Sequence, residues 1–365
     1  MSKPAYVQGT ATDAPPVRVT IDDLRTHCAG VLDACGLPSE ASHLVADSLV
    51  DAEARGISSH GVTRTRIYGE RLRAGMINAA AEPHVVSTRT AALQVDADNA
   101  IGHVGALAGL DAATERAVET GIAAAGVHNS NHCGTLAYFT RRAAERGLVT
   151  MAMSTAPTTM VYFGGRSRAV GTNPISMSVP RPGHPPITVD MATSATARGK
   201  IILANQLGQS IPEGWAVDDA GRPTTDSAAA LLGSVLPVGG AKGSGLAMMV
   251  ELLCGALIAD VTGDGIGDMY EDWTRPQRVS HLFIALDPDA WVGRDTFARH
   301  IDGFAERVHG LPPAEGFDGV LLPGEVEDRK LDAARTDGVQ LSATVAADLD
   351  AMAELADYDG RLVVA

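Results

Sequence analysis

The stretch EARGISSHGVTRT, residues 53–65, sets His60 between Ser59 and Gly61 and places Arg64 four positions further on. Neighbours on a helix surface stand three or four apart, so a helix starting near Gly61 brings His60 and Arg64 to one face. An imidazole exchanges protons near neutral pH, and a guanidinium offers a carboxylate a planar fork of donors. A proton donor beside a fixed cation suits reduction of a small 2-oxo acid. Gly56 and Gly61 are expected to keep the backbone compact so that a substrate can approach. Taken singly, each residue has an ordinary reading: a lone histidine packs or caps, and a lone arginine is a surface charge.

Three other segments carry possible chemistry. GGAKGSGL (239–246) holds one lysine and no acid and opens a helix, so its N–H groups and the helix dipole point at whatever anion sits there. It does not fit the Walker A spacing, and the chain has no G-x-G-x-x-G fingerprint, so a phosphate contact and a plain tight turn both stay open. In HNSNHCG, His128 and His132 at i,i+4 would hold a metal on a helix. Asn129, Ser130, Asn131 and Gly134 favour a ligand-facing loop instead, no third ligand stands nearby, and no metal site is expected. GDGIGD has spaced glycines among Asp264, Asp268, Glu271 and Asp272. Those acids would repel a pyrophosphate, the calcium-loop spacing is missing, and a surface loop is expected. Asp190 in TVDMATS could equally cap the helix after Thr193 and Ser194.

The elements that must position these residues follow from length and pattern. With 365 residues, 45% hydrophobic and 20% charged, the chain reads as soluble, globular and long enough for two or three domains. The net charge of −15 argues against nucleic acid and an anionic membrane surface, so an anionic substrate must meet a local cation. Cys28, Cys35, Cys133 and Cys254 show no paired spacing and fit reduced core residues of a cytoplasmic protein. The first 16 residues read as a flexible tail rather than a signal peptide, and no run of about 18 apolar residues predicts a membrane span.

Thr20 and Ser39 are expected to cap two helices that stop at Gly36 and Gly56. A third is expected from about Gly61 to Gly75, making the first 80 residues an all-helical lead-in. Strand patterns at ALQVDADN, LVTMAMST, PITVDMATS and HLFIALDP then alternate with helical ones, which gives an α/β protein. The expected organisation is a tail (1–16), a helical and substrate-binding region (17–120), a cofactor-binding α/β domain (121–275) and a segment returning to the first domain (276–365).

EARGISSHGVTRTRIYGERLRAGMIN, GTNP, DMATSATARGKI, GGAKGSGLAMMVELL, HLFIALDP and LLPGE occur in an order that resembles the malate/L-lactate dehydrogenase family. The resemblance covers roughly residues 18–345. It implies a non-Rossmann α/β fold with a helical N-terminal segment, NAD or NADP as cofactor, and a homodimer acting on a small 2-hydroxy or 2-oxo acid. It also implies roles. Ser59-His60-Gly61 supplies the proton donor and acceptor, Arg64 binds the substrate carboxylate, and Thr172, Arg198 and Gly199 hold the substrate. The segment His132, Cys133, Gly134, Thr135 and Leu136 lines the cofactor, and His132 corresponds to a histidine assigned as base in ureidoglycolate enzymes. Asp190, Met191 and Ala192 match a nicotinamide-nucleotide contact. Gly240, Ala241 and Lys242, and Pro323, Gly324 and Glu325, match further cofactor contacts. Lys200 stands where the family's imine reductases carry an acid, which favours a malate- or lactate-like 2-hydroxy acid over a cyclic imine carboxylate. A non-catalytic nucleotide-binding protein is the rival from another class; it would have been signalled by loss of His60 or Arg64, and both are present.

Overall fold

The computed structural model describes residues 15–363; most of the expected tail lies outside that range. The chain opens on strand β1 (Val17–Val19), then helices α1 (Ile21–Ala34), α2 (Ser39–Ala54) and α3 (Arg64–Arg73). Thr20 caps α1 as expected, its hydroxyl accepting from Asp23 N at 3.1 Å. Ser39 does not cap α2; it is the first helical residue, after Pro38, whose fixed φ suits a helix entrance. Nor is the lead-in wholly helical. β1 pairs antiparallel with β12 (Val339–Leu341) near the far end of the chain. That partner makes a strand of three residues too short to signal itself.

Strands β2 (His84–Thr88) and β3 (Ala92–Asp96) follow, then α4 (Gly102–Thr120), β4 (Ile122–Ser130), α5 (Leu136–Glu145) and β5 (Val149–Ser154). Next come β6 (Ile175–Val179), β7 (Ile187–Met191) and α6 (Arg198–Gln206). A small three-stranded sheet of β8 (Ala216–Val217), β9 (Pro223–Thr224) and β10 (Ser234–Val235) encloses α7 (Ser227–Leu232) in sequence. Then follow α8 (Ala241–Cys254), β11 (Val279–Leu286), α9 (Arg294–His309), α10 (Glu325–Asp337), β12 and α11 (Ala343–Leu355).

The main sheet has seven strands in the order β2-β3-β4-β11-β5-β6-β7. Only β3 and β4 run parallel, joined by α4 as the crossover; every other neighbouring pair is antiparallel. A Rossmann sheet is mostly parallel, so this topology is of another kind. Side chains alternate across the sheet. Ala152, Phe283 and Ala285 face a core under α4 and α5, while Met153 and Leu282 face Val250 and Cys254 of α8 on the opposite side. β11 is thus a central strand, although it opens the segment expected to return to the first domain. From that segment, Ala334, Val339, Leu341, Leu349 and Met352 pack into the N-terminal helical core with Leu24, Leu49 and Ile67. The stretch Ala241–Ile258 is by length and composition apolar enough to cross a membrane, and 44% of it is buried inside the protein.

Two regions meet along a polar seam. Tyr138 on α5 donates to Asp47 on α2 at 2.8 Å. Arg141 on α5 and Arg55 on α2 both pair with Asp51, and Arg55 reaches Asp328 of α10. Charges this close and this enclosed fix orientation, because separating them would strand a buried charge.

Candidate active site

The site lies where α2 and α3 abut the loop after β4. α2 ends at Gly56, whose φ of +77° suits glycine at a helix exit. A 3₁₀ turn, Ser58–His60, follows, and α3 begins only at Arg64. The helix does not start at Gly61 because Glu53 intervenes. Its buried carboxylate accepts from Val62 N at 3.1 Å, and a Cβ on Gly61 would lie 2.0 Å from that carboxylate. Gly61 is therefore small for the sake of Glu53, which keeps the backbone compact at this turn.

The turn still unites the two expected groups. Ser59 Oγ stands 2.9 Å from His60 Nδ1, and Arg64 Nε donates to Ser59 O at 2.8 Å. His132, from the loop after β4, stacks on His60 with ring centroids 5.4 Å apart. Tyr68, one turn beyond Arg64 on α3, meets His132 Nδ1 at 2.6 Å. Behind them Tyr68 packs edge-on against His103, which is wholly buried, and His281 holds Ser154 and Ser130 hydroxyls at 2.9 and 3.1 Å. Burial, then the charge of Arg64, lowers His60 to about 3. Burial likewise lowers His103 to about 3 and His281 to about 4, and pushes His132 well below its usual range. His60 is therefore a neutral imidazole at pH 7 rather than one poised at its ordinary pKa.

The segment 132–136 spans two parts of the site. At one end is His132. At the other, Asp190 from β7 accepts from Ala137 N at 2.8 Å and also receives Leu136 N, so it caps α5 across the sheet rather than the segment after Thr193. Burial raises its carboxyl to about 6 against those hydrogen bonds and Arg141, although one side of Asp190 opens to solvent. Gly134 has φ +75°, and a Cβ there would press on His103. Thr135 is the N-cap position of α5, while Leu136 and the Cys133 thiol point into the core, Cys133 Sγ lying 3.9 Å from His281 Nδ1. Only the main chain of Cys133 can face a ligand. His128 sits on β4, which runs on to Ser130, so the loop is shorter than expected. Among the described residues no group of three His, Cys, Asp or Glu could hold a metal.

The strand carrying Asp190 also docks the LPGE turn. Thr188 N donates to Pro323 O at 3.0 Å, and Gly324 has φ +97°. Glu325 secures its own turn, accepting from Leu322 N at 2.9 Å and meeting His309 Nε2 at 2.8 Å. Met191 is exposed and Ala192 half-buried. Thr172 and Thr193 join through Thr172 O, which accepts Thr193 N and Oγ1, each at 2.9 Å. Asn173 beside it is a buried strut between Ala156 N and the Ala247 carbonyl.

Gly239 and Gly240 both hold positive φ, and a Cβ on Gly243 would lie 2.3 Å from Val238 O. These glycines answer to the turn itself. The N–H groups of Lys242, Gly243 and Ser244 are taken by Gly239, Val238 and Gly240 carbonyls, so they do not aim outward as expected. What remains for a ligand is the N-terminus of α8, the exposed Lys242, Ala241, and open space around Gly245. An exposed cation beside the positive end of a helix dipole fits a phosphate of a dinucleotide.

Arg198 opens α6 and donates to Leu231 O at 3.4 Å, and Gly199 beside it is exposed. Arg198 also feels Asp268 and Glu271. Their loop carries Tyr270, whose ring centroid lies 5.6 Å from the Arg64 guanidinium carbon. Sequence reasoning dismissed that loop as surface and missed Tyr68, His103 and Tyr270. Tyr68 was within reach, since it stands four residues after Arg64.

Residues 19–350 match the family model for malate/L-lactate dehydrogenase. A ureidoglycolate dehydrogenase (NAD(+)) of Escherichia coli O157:H7 is 35% identical, covering 84% of this chain and 87% of its own. A delta(1)-pyrroline-2-carboxylate reductase of Ancylobacter novellus is 36% identical, covering 92% and 98%. The solved sulfolactate dehydrogenase of Methanocaldococcus jannaschii superimposes with a TM-score of 0.87 at 31% identity, covering 93% of this chain and 98% of that one. The chain belongs to the malate/L-lactate dehydrogenase family.

Proposed function

We propose that the chain is an NAD(P)-dependent oxidoreductase that interconverts a small, malate- or lactate-like 2-hydroxy acid and its 2-oxo acid. The observation that carries this reading is the Ser59-His60-Arg64 turn, with a neutral imidazole and a guanidinium held in one local hydrogen-bond system. A bound nicotinamide supplies or accepts the hydride. Arg64 holds the substrate carboxylate, which fixes the reacting carbon near His60. His60 takes the hydroxyl proton in oxidation and returns it to the carbonyl oxygen in reduction. Ser59 serves both directions, because a hydroxyl can donate to or accept from Nδ1. His132, braced by Tyr68, is the second proton-handling candidate.

Thr172, Arg198 and Gly199 complete the acid's side of the cleft in this reading. The main chain at 132–136, Asp190-Met191-Ala192, Gly240-Ala241-Lys242 and Pro323-Gly324-Glu325 hold the dinucleotide. The active form is a homodimer. α8 buries one face on the sheet and leaves Leu246, Met248, Met249 and Leu252 between 43 and 53% exposed, an apolar stripe suited to a second copy. A cytoplasmic location fits four free, buried cysteines.

The test is a steady-state screen of NADH and NADPH against pyruvate, oxaloacetate, sulfopyruvate, the 2-oxo form of ureidoglycolate and a cyclic imine 2-carboxylate. Oxidation of the cofactor with at least one 2-oxo acid is expected. Turnover of the imine alone would replace this reading.

A further inference from the structure

We propose that Tyr270 is a positioning residue for the acid, holding the Arg64 guanidinium in place, and that Arg71 and Gln277 hold the loop that presents it. The inference rests on the reading of Arg64 as the carboxylate-holding group and asks what sets its orientation.

Arg71 is the largest of the fully buried side chains. Enclosing a guanidinium is costly unless its donors are used. Arg71 stands seven residues after Arg64, on the same face of α3. Its Nη1 alone is used, donating to the carbonyls of Met269 and Asp272 at 3.0 and 2.9 Å, while Nε and Nη2 meet no hydrogen-bond partner among the described residues and the guanidinium carbon lies 5.3 Å from the Trp273 ring centroid. A buried cation is thus devoted to one turn, 269–273, about 200 residues away in sequence.

That turn is tied internally as well. Asp268 Oδ1 accepts from Tyr270 N and Glu271 N at 2.7 and 2.8 Å, and Trp273 Nε1 donates to Tyr270 O at 2.9 Å. At the base of the loop, Gly267 N donates to Gln277 O at 2.8 Å. Gln277 is buried, and its Oε1 accepts from His132 N at 3.2 Å. The loop is therefore fastened to α3 on one side and to the His132 segment on the other.

The consequence falls on Arg64. Its Nε is committed to Ser59 O, and its guanidinium carbon lies over the Tyr270 ring, 5.6 Å from the centroid. An Nε bond sets one edge of a planar group, and an aromatic face beside the guanidinium limits where that group can swing. A carboxylate must meet the fork in that plane to be held by two donors. Tyr270 acts through Arg64, so it governs how well the acid binds and not how fast the proton moves.

Tyr270→Leu and Tyr270→Phe separate the ring from the hydroxyl. With cofactor saturating and the best 2-oxo acid as substrate, Tyr270→Leu is expected to raise KM about ten-fold, the worth of a desolvated cation–π contact. It should leave kcat and the cofactor Kd near wild type, and Tyr270→Phe should keep the wild-type KM. Arg71→Lys should reproduce the KM rise of the leucine variant, because an ammonium loses the guanidinium's fit to the turn. An unchanged KM in Tyr270→Leu would overturn the inference while leaving the dehydrogenase reading standing. Equal damage from Tyr270→Phe would likewise overturn it, because the hydroxyl and not the ring would then matter. Failure of the wild-type enzyme to turn over any 2-oxo acid would overturn both.

Discussion

His60, Tyr68, His103 and His132 form one continuous cluster of rings, wholly or largely enclosed. Gly239, Gly240, Lys242 and Gly245 occupy an open turn. In the first region the proposed function rests on side chains whose proton affinity the protein changes, and burial does most of the changing. In the second it rests on backbone shape, with glycines chosen for dihedrals and close approach. Substitutions in the ring cluster should therefore alter the chemical step and its pH dependence. Substitutions on the turn should alter affinity for a ligand and leave the chemistry alone.

The sharpest break is His60→Ala, expected to lower kcat by roughly 10²–10⁴ with cofactor affinity nearly intact. Single-turnover rates and nicotinamide fluorescence titration read the two separately. If kcat survives, proton transfer belongs to His132, and His132→Ala should then carry the loss.

Arg64→Lys comes next. Lysine cannot reproduce the planar fork, so kcat/KM for a 2-oxo acid should fall by about 2–4 kcal/mol in a dry site. An ester of the same acid should be a poor substrate of the wild type and nearly indifferent to the change. Equal loss for acid and ester would remove the carboxylate from the argument. A related expectation follows from electrostatics. Arg64 is one of the two causes holding His60 low, so an anion that neutralises it should raise His60. Close to that lowered value, and not at neutral pH, binding of a non-reacting carboxylate should then take up protons, visible by calorimetry in buffers of different ionisation enthalpy.

On the turn, Lys242→Ala should weaken cofactor binding by about 1–3 kcal/mol and leave kcat at saturation unchanged. An unchanged Kd would reduce GGAKGSG to a structural turn, consistent with the internal use of its N–H groups.

The same contrast explains what could be read without coordinates. Ser59, His60 and Arg64 are local, and their grouping follows from spacing alone. Thr20 as a cap and Gly56 as a stop are equally local. Tyr68 and His132 are 64 residues apart and meet only once β4 is placed against α3. Tyr270 is more distant still, in a segment whose acids suggested a solvated loop. Those acids turn inward in part: Asp268 caps its own turn and Asp272 lends a carbonyl to Arg71. The central position of β11 was hidden for the same reason, since its antiparallel partners β4 and β5 lie far upstream. Glycines at 239, 240 and 243 were visible, but pattern alone could not divide the demands of the turn from those of a phosphate.

The smallest expected effect concerns stability and the deepest ring. His103 is wholly buried, and neither ring nitrogen meets a hydrogen-bond partner among the described residues. It faces Tyr68, Phe139 and Gly134, with the charge of a protonated His281 further opposing its own. Its folded pKa, about 3, lies below the unfolded value near 6.5. Between those values the unfolded chain binds the extra proton and the folded one does not, so stability falls as pH falls through 6.5 and keeps falling towards 3. At pH 5.5 the cost of one such histidine is about 1 kcal/mol relative to pH 7.5 or above. His103→Leu forfeits no hydrogen bond to the protein and removes the titrating group. The variant's thermal midpoint should therefore lie close to wild type at pH 7.5 and drop less steeply down to pH 5, with His281 and His132 still contributing their share. Parallel curves for the two proteins would mean that the folded state accommodates the imidazolium of His103, and that the interior behind Tyr68 is wetter than its burial implies.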